Sequence, residues 1–302
     1  MEEKEEQLLK VRGLKKSYDG HVAVDDVDFR IPQGCISGLV GPNGAGKTTI
    51  IKCMIGFLDY DGEIKLKYDG KEKKDNALIG YLAEDEGYYP SWTGGEYLEY
   101  FAELYQVEDF HSKVSEKLKT VGLYGRKDDE IREYSNGMKK RLGIARTLLH
   151  DPKLLIYDEP LSGLDPTIKN ELMRIIDSIA GGENSVLISS HQLNDIEESC
   201  NWIVMIEEGK IRDFGEPSKV LERTGSSKKL VLNIEKKDMD KVKELDEQSY
   251  VRRIKVRGRT LVIETEGGKD VEKRIFNWLI KNDIDFSLKH GSLDSIYRGS
   301  FK

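Results

Sequence analysis

The chain has 302 residues, room for one large and one small domain at the usual size of roughly 100–200 residues each. With 38% hydrophobic and 34% charged residues, it can bury a core under a charge-rich surface, which excludes wholesale disorder. Its net charge of -7 gives no electrostatic reason to expect nucleic acid as a partner.

The start, Met1 to Glu6, is acidic where a secretory signal would be basic, and reads as a solvated lead-in. From Leu8 to about Arg223, short β-type runs alternate with helical stretches. Val27–Ile31, Cys35–Val40, Leu154–Tyr157, Val186–Ser189 and Trp202–Ile206 are the clearest strands, and buried strands interleaved with helices predict an α/β domain over 1–223. Within it, about 94–149 is dominated by helical spacing, as in Tyr97, Phe101, Leu104 and Tyr105, and predicts a helical insert. Thr224 to Lys229 is small, polar and charged, and marks a boundary. The remaining 228–302 read as β-α-β-β-α-β, with a charged helix to about Leu245, a helix through Val271, Ile275, Trp278 and Leu279, and a strand at Phe286–Leu288. That order predicts a small ferredoxin-like α+β unit. No apolar run nears the roughly 20 residues needed to cross a bilayer. Cys35, Cys53 and Cys200 are odd in number and scattered, which fits reduced thiols in a cytosolic protein rather than a disulfide framework or metal site.

Gly41-Pro42-Asn43-Gly44-Ala45-Gly46-Lys47-Thr48-Thr49 follows the apolar run Ile36–Val40 and precedes the helical run Ile50–Ile55. Strand, glycine loop and helix are the context of a phosphate-binding loop. Its glycines let backbone amides turn toward an anion, and the helix start adds its partial positive charge. Lys47 is placed to reach outer phosphates, and Thr48 to offer its hydroxyl to Mg²⁺. Alone, such a loop leaves ATPase, GTPase and kinase open. Leu154–Tyr157 then ends in Asp158 and Glu159, a strand closing on two carboxylates: Asp158 for Mg²⁺ and Glu159 to polarise an attacking water.

Between these motifs, Tyr134-Ser135-Asn136-Gly137-Met138-Lys139-Lys140-Arg141-Leu142 resembles the signature sequence of ATP-binding cassette (ABC) proteins. Ser162-Gly163-Leu164-Asp165 resembles the D-loop of that family, and Ile188-Ser189-Ser190-His191 its switch histidine segment. Tyr18 stands where the family stacks an aromatic ring on adenine. The resemblance covers the whole first domain and implies a phosphate-loop ABC ATPase that sandwiches ATP between two cassettes. One subunit would supply residues 41–49. The other would bring Ser135 and the backbone of Gly137 to the γ-phosphate, and Asn136 and Asp165 are expected among the nucleotide-binding residues. His191 would sense that phosphate from its own subunit. The sequence departs from the commonest pattern with Asn136 for glycine, Met138 for glutamine, and Glu84 for the glutamine that touches Mg²⁺ and couples to the membrane partner. Asparagine tolerates left-handed backbone angles, and a carboxylate keeps an oxygen ligand.

The Gly80–Glu96 stretch, with Tyr88, Tyr89 and Trp92, looks like the matching region of bacterial exporter cassettes, and Gly291–Tyr297 like the end of an accessory domain of the drug and sodium export branch. The resemblance implies an ATP-hydrolysing subunit that needs ATP and Mg²⁺, pairs with a second copy, and sits on the cytoplasmic face of the membrane through a separate permease chain, which the three aromatics would contact. Two other classes stay open: a soluble cassette acting on ribosomes or nucleic acid, and a regulatory nucleotide-binding module.

Overall fold

The computed structural model describes residues 7–68, 71–73, 76–180, 184–196, 199–223, 228–234, 238, 241–257, 260–265, 269–282 and 284–289. The solvated start, most of the boundary segment and Gly291–Tyr297 lie outside them. The chain divides into two compact units, Met1–Pro217 and Ser218–Lys302.

The first unit holds two sheets. Strands β1 (Gln7–Tyr18), β2 (His21–Pro32), β4 (Asp61–Tyr68) and β5 (Lys71–Lys73) form an antiparallel sheet in the order β2-β1-β4-β5. The other sheet contains β3 (Ile36–Val40), β6 (Ile79–Leu82), β7 (Leu154–Tyr157), β8 (Ser185–Ser190), β9 (Trp202–Glu207) and β10 (Lys210–Gly215), ordered β10-β9-β3-β8-β7-β6. Only the edge strand β10 runs antiparallel to its neighbour. The near-continuous apolar runs in β3, β7 and β8 follow from this position, since every residue of these strands is buried. Helix α1 (Lys47–Met54) places Ile50, Ile51, Cys53 and Met54 in one core cluster with Leu9, Val11 and Phe29 of the antiparallel sheet and Leu39, Ile156 and Val204 of the other.

The predicted helical insert consists of α2 (Gly94–Leu104), α3 (Phe110–Thr120) and α4 (Asn136–Thr147). A capping box starts α2: the Thr93 hydroxyl accepts from the Glu96 amide, and the Glu96 carboxylate accepts from the Thr93 amide. Helix α5 (Pro166–Ile179) follows β7. The three cysteines are free, and burial pushes the Cys53 and Cys200 thiols up, away from thiolate reactivity.

In the second unit, β11 (Lys228–Ile234), β12 (Val251–Arg257), β13 (Thr260–Thr265) and β14 (Phe286–Lys289) form an antiparallel sheet ordered β12-β13-β11-β14. Between Ser218 and that sheet runs the remainder of helix α6 (Pro217–Arg223), and α7 (Lys269–Lys281) buries Ile275 and Leu279 in the core of this unit. The helix expected up to Leu245 is instead a 3-10 helix, Lys241–Glu247. Its two core residues, Val242 and Leu245, are three apart, a spacing that a three-residue turn brings to one side.

Candidate functional site

The end of β3 delivers the chain into the loop at 41–46, which cannot be built with side chains throughout. A Cβ at Gly41 would lie 2.3 Å from the Ile206 carbonyl oxygen, and Gly46, at φ 105°, would put one 2.7 Å from that of Ala23. Gly46 is the N-cap of α1 and brings no capping side chain, so the first amides of the helix face outward as anion donors. The tip of the β9–β10 hairpin braces this loop: the Gly209 amide donates to the Ala45 carbonyl at 3.0 Å, and the Gly209 carbonyl accepts from Asp25 at 2.9 Å.

The loop borders a cavity of about 580 Å³ that collects Asn43, Gly44, Gly46, Lys47, Thr48, Thr49, Glu84 and Glu159. His21, Val22, Ala23, Glu208 and Gly209 also line it. Sequence reasoning missed these five, because β2 and the hairpin come beside the loop only through sheet pairing. Gly41, Pro42 and Ala45 serve the cradle from behind. Lys47 donates to the carbonyls of Gly41 at 2.8 Å and Pro42 at 3.2 Å, and Ala45 is buried.

Asp158 and Glu159 leave the end of β7 almost fully buried. Glu159 has φ 46°, a left-handed geometry uncommon outside glycine, which turns the chain sharply at the strand end. Both residues are held by Ser189 of β8, whose hydroxyl accepts from the Glu159 amide at 2.8 Å and donates to Asp158 Oδ1 at 2.6 Å. His191 Nδ1 lies 2.8 Å from Glu159 Oε2. A carboxylate can only accept, so Nδ1 carries the proton there, and Nε2 is left to accept from Gln192 Nε2 at 3.1 Å. Lys47 Nζ approaches Glu159 Oε1 to 3.2 Å as an ion pair, without hydrogen-bond geometry. That oxygen is buried and has this ion pair but no hydrogen bond among the described residues.

Asp158 and His191 stand behind Glu159 and are not among the residues lining the cavity, and neither are the remaining predicted residues. Tyr18 ends β1, 41% exposed, with the Lys16 ammonium 5.4 Å from its ring centre. Ser135 caps α4 by accepting from the Met138 amide at 3.2 Å. Asn136 is the first residue of that helix and is absent from the left-handed positions, so the tolerance expected of it is not used. A Cβ on Gly137 would meet Ile168 Cγ2 at 2.6 Å. Asp165 caps α5 through the amides of Thr167 and Ile168, with Pro166 at the first helical position. Tyr89 is 54% exposed, whereas Tyr88 turns inward and its hydroxyl donates to the Lys139 carbonyl at 2.6 Å.

A family model described as ABC transporter matches residues 24–162. An uncharacterized ABC transporter ATP-binding protein of Bacillus subtilis, YxlF, is 40% identical over 212 residues, 69% of this chain and 71% of its own. The linearmycin resistance ATP-binding protein LnrL of the same organism is 32% identical over 233 residues, 75% of each chain. Among solved structures, cbiO1 of Clostridium perfringens, part of the ABC transporter complex cbiONQ, matches with a TM-score of 0.64 at 26% identity, over 80% of this chain and 96% of its own.

Proposed function

The chain belongs to the ABC transporter family as an ATP-hydrolysing, ATP-binding subunit, and from that membership we propose how its residues divide the work. Lys47 and the amides at the start of α1 hold the outer phosphates. Glu159 orients and polarises the attacking water, and His191 fixes the Glu159 carboxylate and responds to the γ-phosphate. Tyr18 stacks on the base. The observation that carries this reading is the convergence of Lys47, Glu159 and His191 beside the phosphate loop, with Lys47 and Glu159 buried.

The donor set also suits Mg²⁺. Thr48, Asp158 and Glu84 would hold it, an all-oxygen set of the kind that ion prefers, and when bound it would neutralise charge on the β- and γ-phosphates. Ser135, Asn136, Gly137 and Asp165, which do not line this cavity, are read as the surface offered to a second cassette. ATP then closes a dimer by binding the closed state more tightly than the open one.

Among the described residues no helix is long and apolar enough to cross a membrane, which fits a subunit that works with a separate membrane-spanning permease from the cytoplasmic side. Export is the proposed direction, because the Gly80–Glu96 stretch resembles exporter cassettes and a relative named for resistance fits removal of a compound better than uptake. We assign the ATPase domain to 1–223 and an accessory domain to 228–302. The β12-β13-β11-β14 order, with α7 between β13 and β14, supports a ferredoxin-like reading of the latter.

Glu159→Gln tests the chemistry. Purified protein carrying it binds ATP, turns over at least about a hundredfold more slowly, the scale of general-base catalysis, and accumulates as an ATP-dependent dimer in light scattering. Turnover at the wild-type rate removes Glu159 as the base. Co-purification from membranes tests the partner: a polytopic chain supports the transporter reading, and ribosomes overturn it.

A further inference from the structure

Glu84 is the only cavity-lining residue from the segment after β6, and that segment is fastened to α4 at several points. Arg146, near the end of α4, donates to Glu86 Oε1 at 2.6 Å, to the Tyr81 carbonyl at 2.7 Å and to the Tyr105 hydroxyl at 3.0 Å. Glu86 spreads the charge further: Oε1 accepts from the Ala83 amide at 3.3 Å and Oε2 from the Tyr97 hydroxyl at 3.2 Å. The two side chains are only 7% and 13% exposed, so this ion pair is far less screened than a surface one. Toward the start of α4, Lys140 donates to the Glu84 carbonyl, and the Lys139 carbonyl accepts from Tyr88. The approach is close: a Cβ on Gly143 would sit 2.5 Å from Leu82 Cδ1 and 3.0 Å from the Tyr88 hydroxyl, so a side chain there would have to displace them.

We propose that Glu86 and Arg146 are a positioning pair: they lock the 81–88 segment to α4 so that Glu84 at the nucleotide and Ser135 at the other end of the helix move as one body. Neither residue touches the cavity. Their effect is to transmit the response of Glu84 to bound nucleotide into the placement of the α4 N-terminus, which rests on the reading of Glu84 and Ser135 given above. A buried ion pair suits this role because it is directional. Apolar side chains of similar volume would stabilise as well but would allow the two elements to slide.

The test uses the full chain with Glu159→Gln, so that ATP persists, at concentrations where it is monomeric. Hydrogen exchange is followed with and without Mg-ATP. In this reference protein, ATP slows exchange both at 81–88 and at 135–140. Adding Glu86→Gln and Arg146→Gln together leaves no unpaired buried charge; the response at 81–88 persists and that at 135–140 is lost. The same pair of substitutions in the otherwise native chain lowers turnover about tenfold, a typical size of coupling between sites, while ATP affinity is retained. Glu86→Gln alone strands the Arg146 charge and lowers the melting temperature more than the double substitution does. Three results overturn the proposal: both segments still responding in the double variant, both falling silent together, or no response at 135–140 in the reference. Failure of the ATPase reading shows separately, as Glu159→Gln with undiminished turnover.

Discussion

Ser189 sits between the two carboxylate residues with its side chain wholly buried, and it spends its one proton and a lone pair on both of them. Removing it in Ser189→Ala leaves the Glu159 amide and an Asp158 oxygen without that partner, at a cost of about 1–3 kcal/mol. The loss falls at a left-handed, non-glycine position, which Glu159 holds only while its surroundings enforce it. Ser189→Ala is therefore expected to lower turnover by about ten- to a hundredfold while leaving ATP binding, proposed above to rest on Lys47 and the loop amides, largely intact. Steady-state kinetics beside an equilibrium nucleotide titration checks this. Unchanged turnover would reduce Ser189 to a packing residue. In the sequence Ser189 is only a neighbour of His191. What gives it a role is the parallel register that sets Tyr157 of β7 opposite Ile188 of β8, which no local pattern reveals.

Elements that are locally encoded were legible, and those completed by neighbours were not. The strand, loop and helix around 36–54 could be read because an apolar run, glycines and a helix start are consecutive. The strand β2 extends from His21 to Pro32, whereas only Val27–Ile31 stood out, and β1 did not stand out at all. Irregularities in their pairing, such as the shift between Val11 and Leu14, break the two-residue alternation that would have marked them. The junction of α4 and α5 teaches the same lesson. Gly137 is read from the sequence as a point of approach to phosphate, yet within its own chain it is where α4 makes room for Ile168. Arg141 and Glu171 pair across the same junction at 2.5 Å. Gly137→Ala gains up to about 1 kcal/mol of helix propensity and meets overpacking worth about 1–3 kcal/mol, so a net loss of stability is expected in urea unfolding. Ile168→Leu, which removes the β-branch methyl at the contact, should restore most of it. A stable Gly137→Ala protein with poor ATP-driven dimerisation would instead point to the phosphate-facing role alone.

At the scale of the whole molecule, the nucleotide cavity draws only on residues between His21 and Glu159 and on Glu208 and Gly209, all in the first unit. Tyr89 and Trp92 belong to the same unit but do not line that cavity, so the proposed nucleotide chemistry and the proposed attachment to a permease can be separated by mutation. The aromatics after Glu84 are sorted by their surroundings: Tyr88 is tied into the helical insert, while Tyr89 stacks on Trp92 with ring centres 4.5 Å apart, and Trp92 in turn meets the half-exposed Tyr100 at 5.2 Å. Sequence alone grouped Tyr88, Tyr89 and Trp92 together, because only the fold tells which rings face inward. An exposed, preformed aromatic stack carries little entropic cost on binding and is the kind of surface where Tyr and Trp act as hot spots. Tyr89→Ala combined with Trp92→Ala is expected to cost about 2 kcal/mol or more of partner affinity, roughly thirtyfold at 1.4 kcal/mol per decade. Membrane recovery of the chain and its stimulation by the co-purified permease should fall accordingly, with the basal ATPase of the isolated subunit unaltered. Tyr88→Phe is the internal contrast: losing the bond to the Lys139 carbonyl should lower the melting temperature and leave recovery on membranes unchanged. If the double alanine variant is recovered with the permease as well as the native chain, docking runs through another surface; if Tyr88→Phe loses recovery instead, the inward ring is the one that sets the geometry of attachment.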